Sequence, residues 1–189
     1  NIGPVSIGGL TIEEAKTKLK SVLTKTYPGL KTGNTSLQVS LGQIRSIRVT
    51  LIGEVRKKRS YELSSLSTLA NALYASGGPS NNGSFRKIDL IRNGKKLVTF
   101  DLYDFLLNGD LTKNVLLKDD DIIKVHPYAN RLALTGAVKR PAIYESEPNE
   151  NLGIIIEKYA SGFADSANRN KITVQRYGSQ GKMILNVAQ

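Results

Sequence analysis

IRVTLIGEVRKKRSYEL, residues Ile47 to Leu63, is the stretch that decides the fold. Ile47, Val49, Leu51 and Val55 alternate with Arg48, Thr50 and Glu54, the period of a strand with one buried face. Gly53 inside that strand signals a bulge or a close backbone approach. The basic run Arg56-Lys57-Lys58-Arg59 reads as a loop, and Tyr61-Glu62-Leu63 as the start of a return strand. The chain writes this pattern twice. In RLALTGAVKRPAIYE, residues Arg131 to Glu145, Leu132, Leu134, Gly136, Val138 and Tyr144 follow Val49, Leu51, Gly53, Val55 and Tyr61 at an offset of 83 residues. Tyr74-Ala75-Ser76-Gly77 recurs letter for letter as Tyr159-Ala160-Ser161-Gly162. Ile88-Asp89-Leu90 returns as Ile172-Thr173-Val174, and Val98, Phe100 and Leu102 as Met183, Leu185 and Val187. A colinear series of this kind marks two copies of one small domain, the second cut short.

Before the first copy, Val5 and Ile7 alternate toward Gly8-Gly9 as the end of a strand does. Thr11 and Glu14 fit a capping box, and Ile12, Ala15, Leu19, Val22 and Leu23 form one helical face that should end before Pro28. Leu30 to Ser36 reads as a loop, and Leu37, Val39 and Leu41 alternate as a strand. Within the first copy, Leu66, Leu69, Ala70 and Leu73 make a helical stripe stopped by Gly77-Gly78. Asn93-Gly94 marks a hairpin between Arg86–Arg92 and Lys96–Phe100. Tyr103 to Leu107 is a short helical turn, and Ile122 to Val125 a last strand. Each copy is thus strand, loop, strand, helix, hairpin, short helix, strand. That order fits an α+β fold in which a small mixed sheet packs on one main helix, the β-grasp arrangement.

The ordered set resembles the soluble ligand-binding β-grasp (SLBB) domain. It is carried by V-x-L-x-G-x-V from Val49 to Val55, Tyr61, Ala75-Ser76-Gly77-Gly78, and Ile88-Asp89-Leu90-Ile91-Arg92-Asn93-Gly94. Val5 to Leu41, with Ile7-Gly8-Gly9-Leu10-Thr11-Ile12-Glu13-Glu14-Ala15, is similar to the end of a polysaccharide export domain. Together they resemble the outer-membrane polysaccharide export proteins of Gram-negative bacteria. The family's Pro-Gly turn is Lys58-Arg59 in the first copy and Pro141-Ala142 in the second, and its Gly-Asp is Asp120-Asp121. The division expected is 1–44 for the end of the export domain, 45–128 for a first SLBB domain and 129–189 for a second, truncated one. The chain opens mid-pattern, so it reads as a fragment. The resemblance implies a non-catalytic periplasmic and outer-membrane component of capsular or exopolysaccharide export. Its implied partners are the polysaccharide chain, further copies of itself in a ring, and an inner-membrane polysaccharide co-polymerase.

Composition narrows the chemistry. The 189 residues carry 27 Lys+Arg against 16 Asp+Glu, a net charge of +11, which favours anionic partners. Cysteine is absent and His126 is the single histidine, so thiolate and His-cluster metal sites are excluded and a His-dependent triad has one candidate. His126 reads as a surface or linker residue, and neither a catalytic residue nor a cofactor is expected. Asp119-Asp120-Asp121 could bind Ca²⁺, but three adjacent aspartates diverge along the chain and suit a turn better. The contact candidates are Arg56, Lys57, Lys58 and Arg59 at a hairpin tip, with Lys139 and Arg140 in the matching place. Mutual repulsion of such a cluster is relieved by an anionic ligand; the competing reading is a solvated loop. Tyr61 and Tyr144, at one repeat position, fit either stacking on sugar rings or half-buried packing. Two other functions stay open. One is a basic module for nucleic acid or acidic glycan; sparse aromatics on apolar strands argue against RNA. The other is a structural adaptor.

Overall fold

The computed structural model describes residues 2–40, 42, 44–179 and 181–187. The chain divides into two compact units, Asn1–Arg45 and Ser46–Gln189. In the first unit, helix α1 (Ile12–Leu23) starts at the expected capping box. The Glu14 N–H donates to Thr11 Oγ1 at 3.3 Å, and Glu14 Oε2 accepts from the Thr11 N–H at 2.8 Å. Such reciprocal bonds satisfy donors that a helix start otherwise leaves free. Helix α1 ends at Leu23, and a single turn, α2 (Gly29–Thr32), forms where the sequence suggests a loop. Two strand expectations fail here. Residues 2–7 and 34–40 form no strand, and Leu41 lies outside the described residues. Alternating apolar residues make a strand only beside a partner for the backbone ladder, and no partner pairs with these segments among the described residues.

The second unit begins with the quoted stretch. Strand β1 (Ser46–Gly53) and its return β2 (Arg59–Ser64) pair antiparallel, with Val49 opposite Tyr61. Helix α3 (Leu69–Ser76) follows, then the hairpin β3 (Gly83–Arg92) and β4 (Lys95–Phe100), the short helix α4 (Leu102–Asn108) and β5 (Ile122–Pro127). The sheet order is β2-β1-β5-β3-β4, with β5 parallel to β1 and antiparallel to β3. The expected β-grasp arrangement is therefore formed. One face of β1, β3 and β5 supplies Val49, Leu51, Ile88, Leu90, Ile123 and Val125, all fully buried against Leu69, Ala72 and Leu73 of α3. Burying each such side chain stabilises the fold by about 1.5–3 kcal/mol. Gly53 sits where β5 comes closest: a Cβ there would collide with the Val125 carbonyl oxygen.

The second repeat opens with the hairpin β6 (Asn130–Leu134) and β7 (Ala142–Ser146), continues through one turn of helix α5 (Leu152–Ile154), and ends in the hairpin β8 (Ile172–Gly178) and β9 (Gly181–Val187). Among the described residues the two hairpins form separate sheets, and β9 is exposed throughout.

The repeat register differs from a letter-by-letter alignment. Directly after α5 the chain makes a π turn, Ile155–Tyr159, in which the Ala160 N–H donates to the Ile155 carbonyl. A π turn holds one residue more than the α-helical path. Gly77 and Gly78 of the first repeat, both at positive φ, therefore correspond in conformation to Ser161 and Gly162, one position short of the identical tetrapeptides. Tyr74 is 64% exposed while Tyr159 is 1% exposed. The last echo slips as well. Ile88 pairs with Phe100 and Ile172 with Val187, so Phe100 matches Val187 rather than Leu185.

Candidate functional site: the cleft between the repeats

Arg86, on β3, joins the two repeats. Its side chain is 8% exposed. Its Nε donates to Asp101 Oδ2 at 3.0 Å, and its Nη1 donates to Glu150 Oε2, from the second repeat, at 2.6 Å. The guanidinium also lies 5.3 Å from the ring centre of Tyr103 and 5.5 Å from that of Tyr159. Tyr159, turned inward by the π turn, donates its hydroxyl to Glu150. Burial pulls the Arg86 guanidinium toward neutrality, but the bonds it donates to Glu150 and Asp101 outweigh it and hold the group charged well beyond its usual range.

Glu145 of β7 adds a second bridge. Its carboxylate accepts from Ser84 Oγ at 2.6 Å and from the Phe85 N–H at 2.7 Å, and its own N–H donates to Tyr103 Oη at 2.9 Å. Arg131 of β6 donates to the carbonyls of Asn81 and Gly83 and stacks 3.8 Å from the Tyr128 ring centre. The buried polar groups of this joint have partners, the condition under which a buried polar network rigidifies rather than destabilises.

Burial pushes the Glu150 carboxyl up, but the bonds from Arg86, the Glu147 N–H and Tyr159 outweigh it and hold the pKa below the usual carboxylate range. A carboxyl whose folded pKa is depressed contributes stability that is complete above its unfolded pKa, about 4.3, and that is lost as pH falls through the folded value. The joint should accordingly weaken below about pH 4. Following chemical unfolding of the wild type and of Glu150→Gln from neutral to strongly acidic pH checks this: part of the acid-side loss in the wild type is expected to be missing in the variant.

Beside the joint lies a cleft of about 720 Å³. Arg56, Arg131 and Arg140 stand on its lining, together with the aromatic Tyr103, Tyr144 and Tyr159 and the apolar Leu106, Leu107 and Ile143. The Tyr103 and Tyr159 rings meet edge to face at 5.1 Å, and Tyr144 stacks on Tyr159 at 6.3 Å. Among the described residues Glu145 is the single acidic group on the lining, and both its oxygens are occupied.

The structure sorts the sequence candidates. Of the basic run, Arg56 reaches the cleft, and so does Arg140 of the second repeat, whereas Lys57, Lys58, Arg59 and Lys139 are exposed away from its lining. Lys58 lies 4.0 Å from Glu54, and Arg59 stacks 4.7 Å from the Tyr61 ring centre. Both loops are tied to the end of the helix in their repeat. The Arg56 N–H donates to the Gly78 carbonyl, and the Lys139 and Arg140 N–H groups donate to the carbonyls of Gly162 and Ala160. Tyr61 and Tyr144 tether their loops in the same way. Tyr61 Oη donates to the Lys57 carbonyl at 2.9 Å, and Tyr144 Oη to the Arg140 carbonyl at 2.6 Å. Tyr61 is buried, so packing and loop tethering account for it; Tyr144 also lines the cleft. Sequence reading missed Arg86, Arg131, Tyr103 and Tyr159. The repeated Tyr of the tetrapeptide was the available signal, but its two copies face opposite ways.

Two further groups have structural partners. Asp119 Oδ1 accepts from the Arg48 N–H at 2.7 Å, and buried Asp121 takes both Nε and Nη2 of Arg92 at 2.8 and 2.7 Å. The aspartates are thus used in a turn. His126 lies on β5 rather than in a linker, its Nε2 2.9 Å from Asp89 Oδ2. Asp89 also accepts from Thr99 Oγ1 at 2.6 Å; burial raises its pKa, but the bonds from Thr99 and His126 outweigh burial and lower it.

Comparison with known proteins follows the repeat boundaries. Residues 47–125 and residues 131–186 each match a family model described as an SLBB domain. Two relatives, each a polysialic acid transport protein KpsD of Escherichia coli, are 30% identical over 139 residues, which is 73% of this chain and 24% of the relative. The chain thus spans about a quarter of the length of the curated relatives it matches. The sheet order of the first repeat, the recurrence of its pattern and both family matches agree: the chain carries two SLBB domains in tandem and belongs to the SLBB family.

Proposed function

We propose that the chain is a non-catalytic part of a capsular polysaccharide export protein of the periplasm and outer membrane. The observation that carries this reading is the tandem of SLBB domains, 30% identical over 139 residues to polysialic acid transport proteins. The rigid joint at Arg86 supports it, because a scaffold along a polymer path has to hold its modules in fixed relation. In this reading the SLBB units contact the polysaccharide, further copies of the protein arranged as a ring, and an inner-membrane co-polymerase. Residues 1–44 belong to the end of an export domain preceding the tandem. Among the described residues no helix is long and apolar enough to cross a membrane. The protein makes and breaks no bond; it binds and guides.

The test is made in cells with the synthesis genes intact. Deletion of the full-length gene is expected to remove polymer from the surface while polymer accumulates inside, and the wild-type gene to restore it. An unchanged surface layer, in a strain without a second exporter, overturns the reading.

A further inference from the structure

We propose that the cleft between the two repeats is a binding site for a carboxylated sugar unit, with Arg56 and Arg140 receiving the carboxylate and Tyr144 facing the sugar ring. The inference rests on the export reading for its choice of a glycan, and on the cleft itself for the site. At about 720 Å³ the cleft, open to solvent on one side, falls within the size range of small-molecule sites. Its charge is one-sided. Three arginines stand on the lining, and the oxygens of Glu145 are taken up by two hydrogen bonds of their own. Arg131 is held by the Asn81 and Gly83 carbonyls, so it supplies fixed positive charge. Arg56 and Arg140 are exposed, and no protein acceptor for their guanidinium groups occurs among the described residues. A planar guanidinium offers paired donors that match the two oxygens of a carboxylate.

The wall beside them is aromatic. Sugar rings present apolar C–H faces, and tyrosine supplies a flat apolar body with a polar tip. Tyr144 is positioned for this by its own hydroxyl, which is tethered to the Arg140 carbonyl and so couples ring and cation. The π turn is a second, independent observation. It inserts one residue into the helix of the second repeat and thereby brings Tyr159 behind Tyr144, at a spacing that the first repeat does not reproduce. Single π turns of this kind concentrate at functional sites. A neutral sugar would leave the arginine charges unanswered, and a nucleic acid would call for a longer basic track than one cleft provides.

The experiment uses the 189-residue chain and two probes, a short polysialic acid oligosaccharide and a dextran oligosaccharide of the same length. Binding is followed by calorimetry and by amide and arginine side-chain NMR shifts. The acidic probe is expected to bind and the neutral one not. Arg56→Gln with Arg140→Gln is expected to weaken binding about tenfold or more. Lys57→Gln with Lys58→Gln removes the same charge outside the cleft and is expected to change it less than about threefold. NMR shifts are expected at Tyr144 and Arg131. Equal losses in the two double variants, shifts confined to other surfaces, or no binding of the acidic probe overturn the cleft site. Matching thermal midpoints show that the variants remain folded. The cell deletion distinguishes the two failures: loss of export there, with no cleft binding here, leaves the export reading standing and removes only this site.

Discussion

Arg86→Met is expected to destabilise the Ser46–Gln189 unit by about 3–5 kcal/mol, because the substitution removes the cation and leaves its carboxylates. The side chains of Arg86, Glu150 and Asp101 are 8%, 13% and 15% exposed, so water reaches none of them freely. Methionine fills much of the same volume, which separates the loss of charge from the loss of packing. Tyr103 and Tyr159 would also lose the cation that stands over them. Arg86→Lys restores charge without the fork that reaches Asp101 and Glu150 together, and should fall between the two. Urea unfolding monitored through the tyrosines measures all three proteins. A loss under about 1 kcal/mol for Arg86→Met would mean that the joint behaves as an exposed ion pair, and that the repeats are held by other contacts.

Gly53→Ala should be the second large effect, and Gly136→Ala its contrast. Both glycines have positive φ, +80° and +87°. A side chain there costs about 1–2 kcal/mol in either repeat. At Gly136 nothing lies within 4 Å of the added Cβ, and the cost should stop there. At Gly53 the Cβ would run into the Val125 carbonyl oxygen, the same oxygen that accepts from the Glu54 N–H at 2.9 Å. Relief requires β5 to move from β1, so the total is expected to reach roughly 2–5 kcal/mol once crowding in the core is added. Thermal unfolding of the two variants side by side decides the matter. Equal effects would show that β5 yields at no cost and that the backbone conformation alone matters.

The two repeats show why one sequence feature can be legible and its twin misleading. The alternation of Val49, Leu51 and Val55 marks a half-buried strand, and its echo at Leu132, Leu134 and Val138 marks a second unit, because a strand's side-chain period survives any change of neighbours. The fold family was readable from that order alone. The expected strands near Val5 and around Leu37 failed for the complementary reason. Their alternation was present, but a strand exists only with a partner, and partners are chosen in three dimensions.

The candidate site divides along the same line. The basic loops and the tyrosines Tyr61 and Tyr144 were visible because they recur at one repeat position. Which of the cations share a cleft depends on the tether of each loop to its helix end, and on the joint that sets one repeat beside the other. Arg86 and Glu150 are 64 residues apart, and no local pattern announces that an arginine on a strand will be buried with a carboxylate from the next domain. Tyr159 is the sharpest case. Its tetrapeptide is identical to one in which the tyrosine faces water, yet a π turn carries it inside. Two SLBB units, their strand faces and an excess of positive charge are therefore written in the order of residues. The convergence of particular charges on one cleft is not, because it depends on long-range packing that a one-residue change in helical path is enough to redirect.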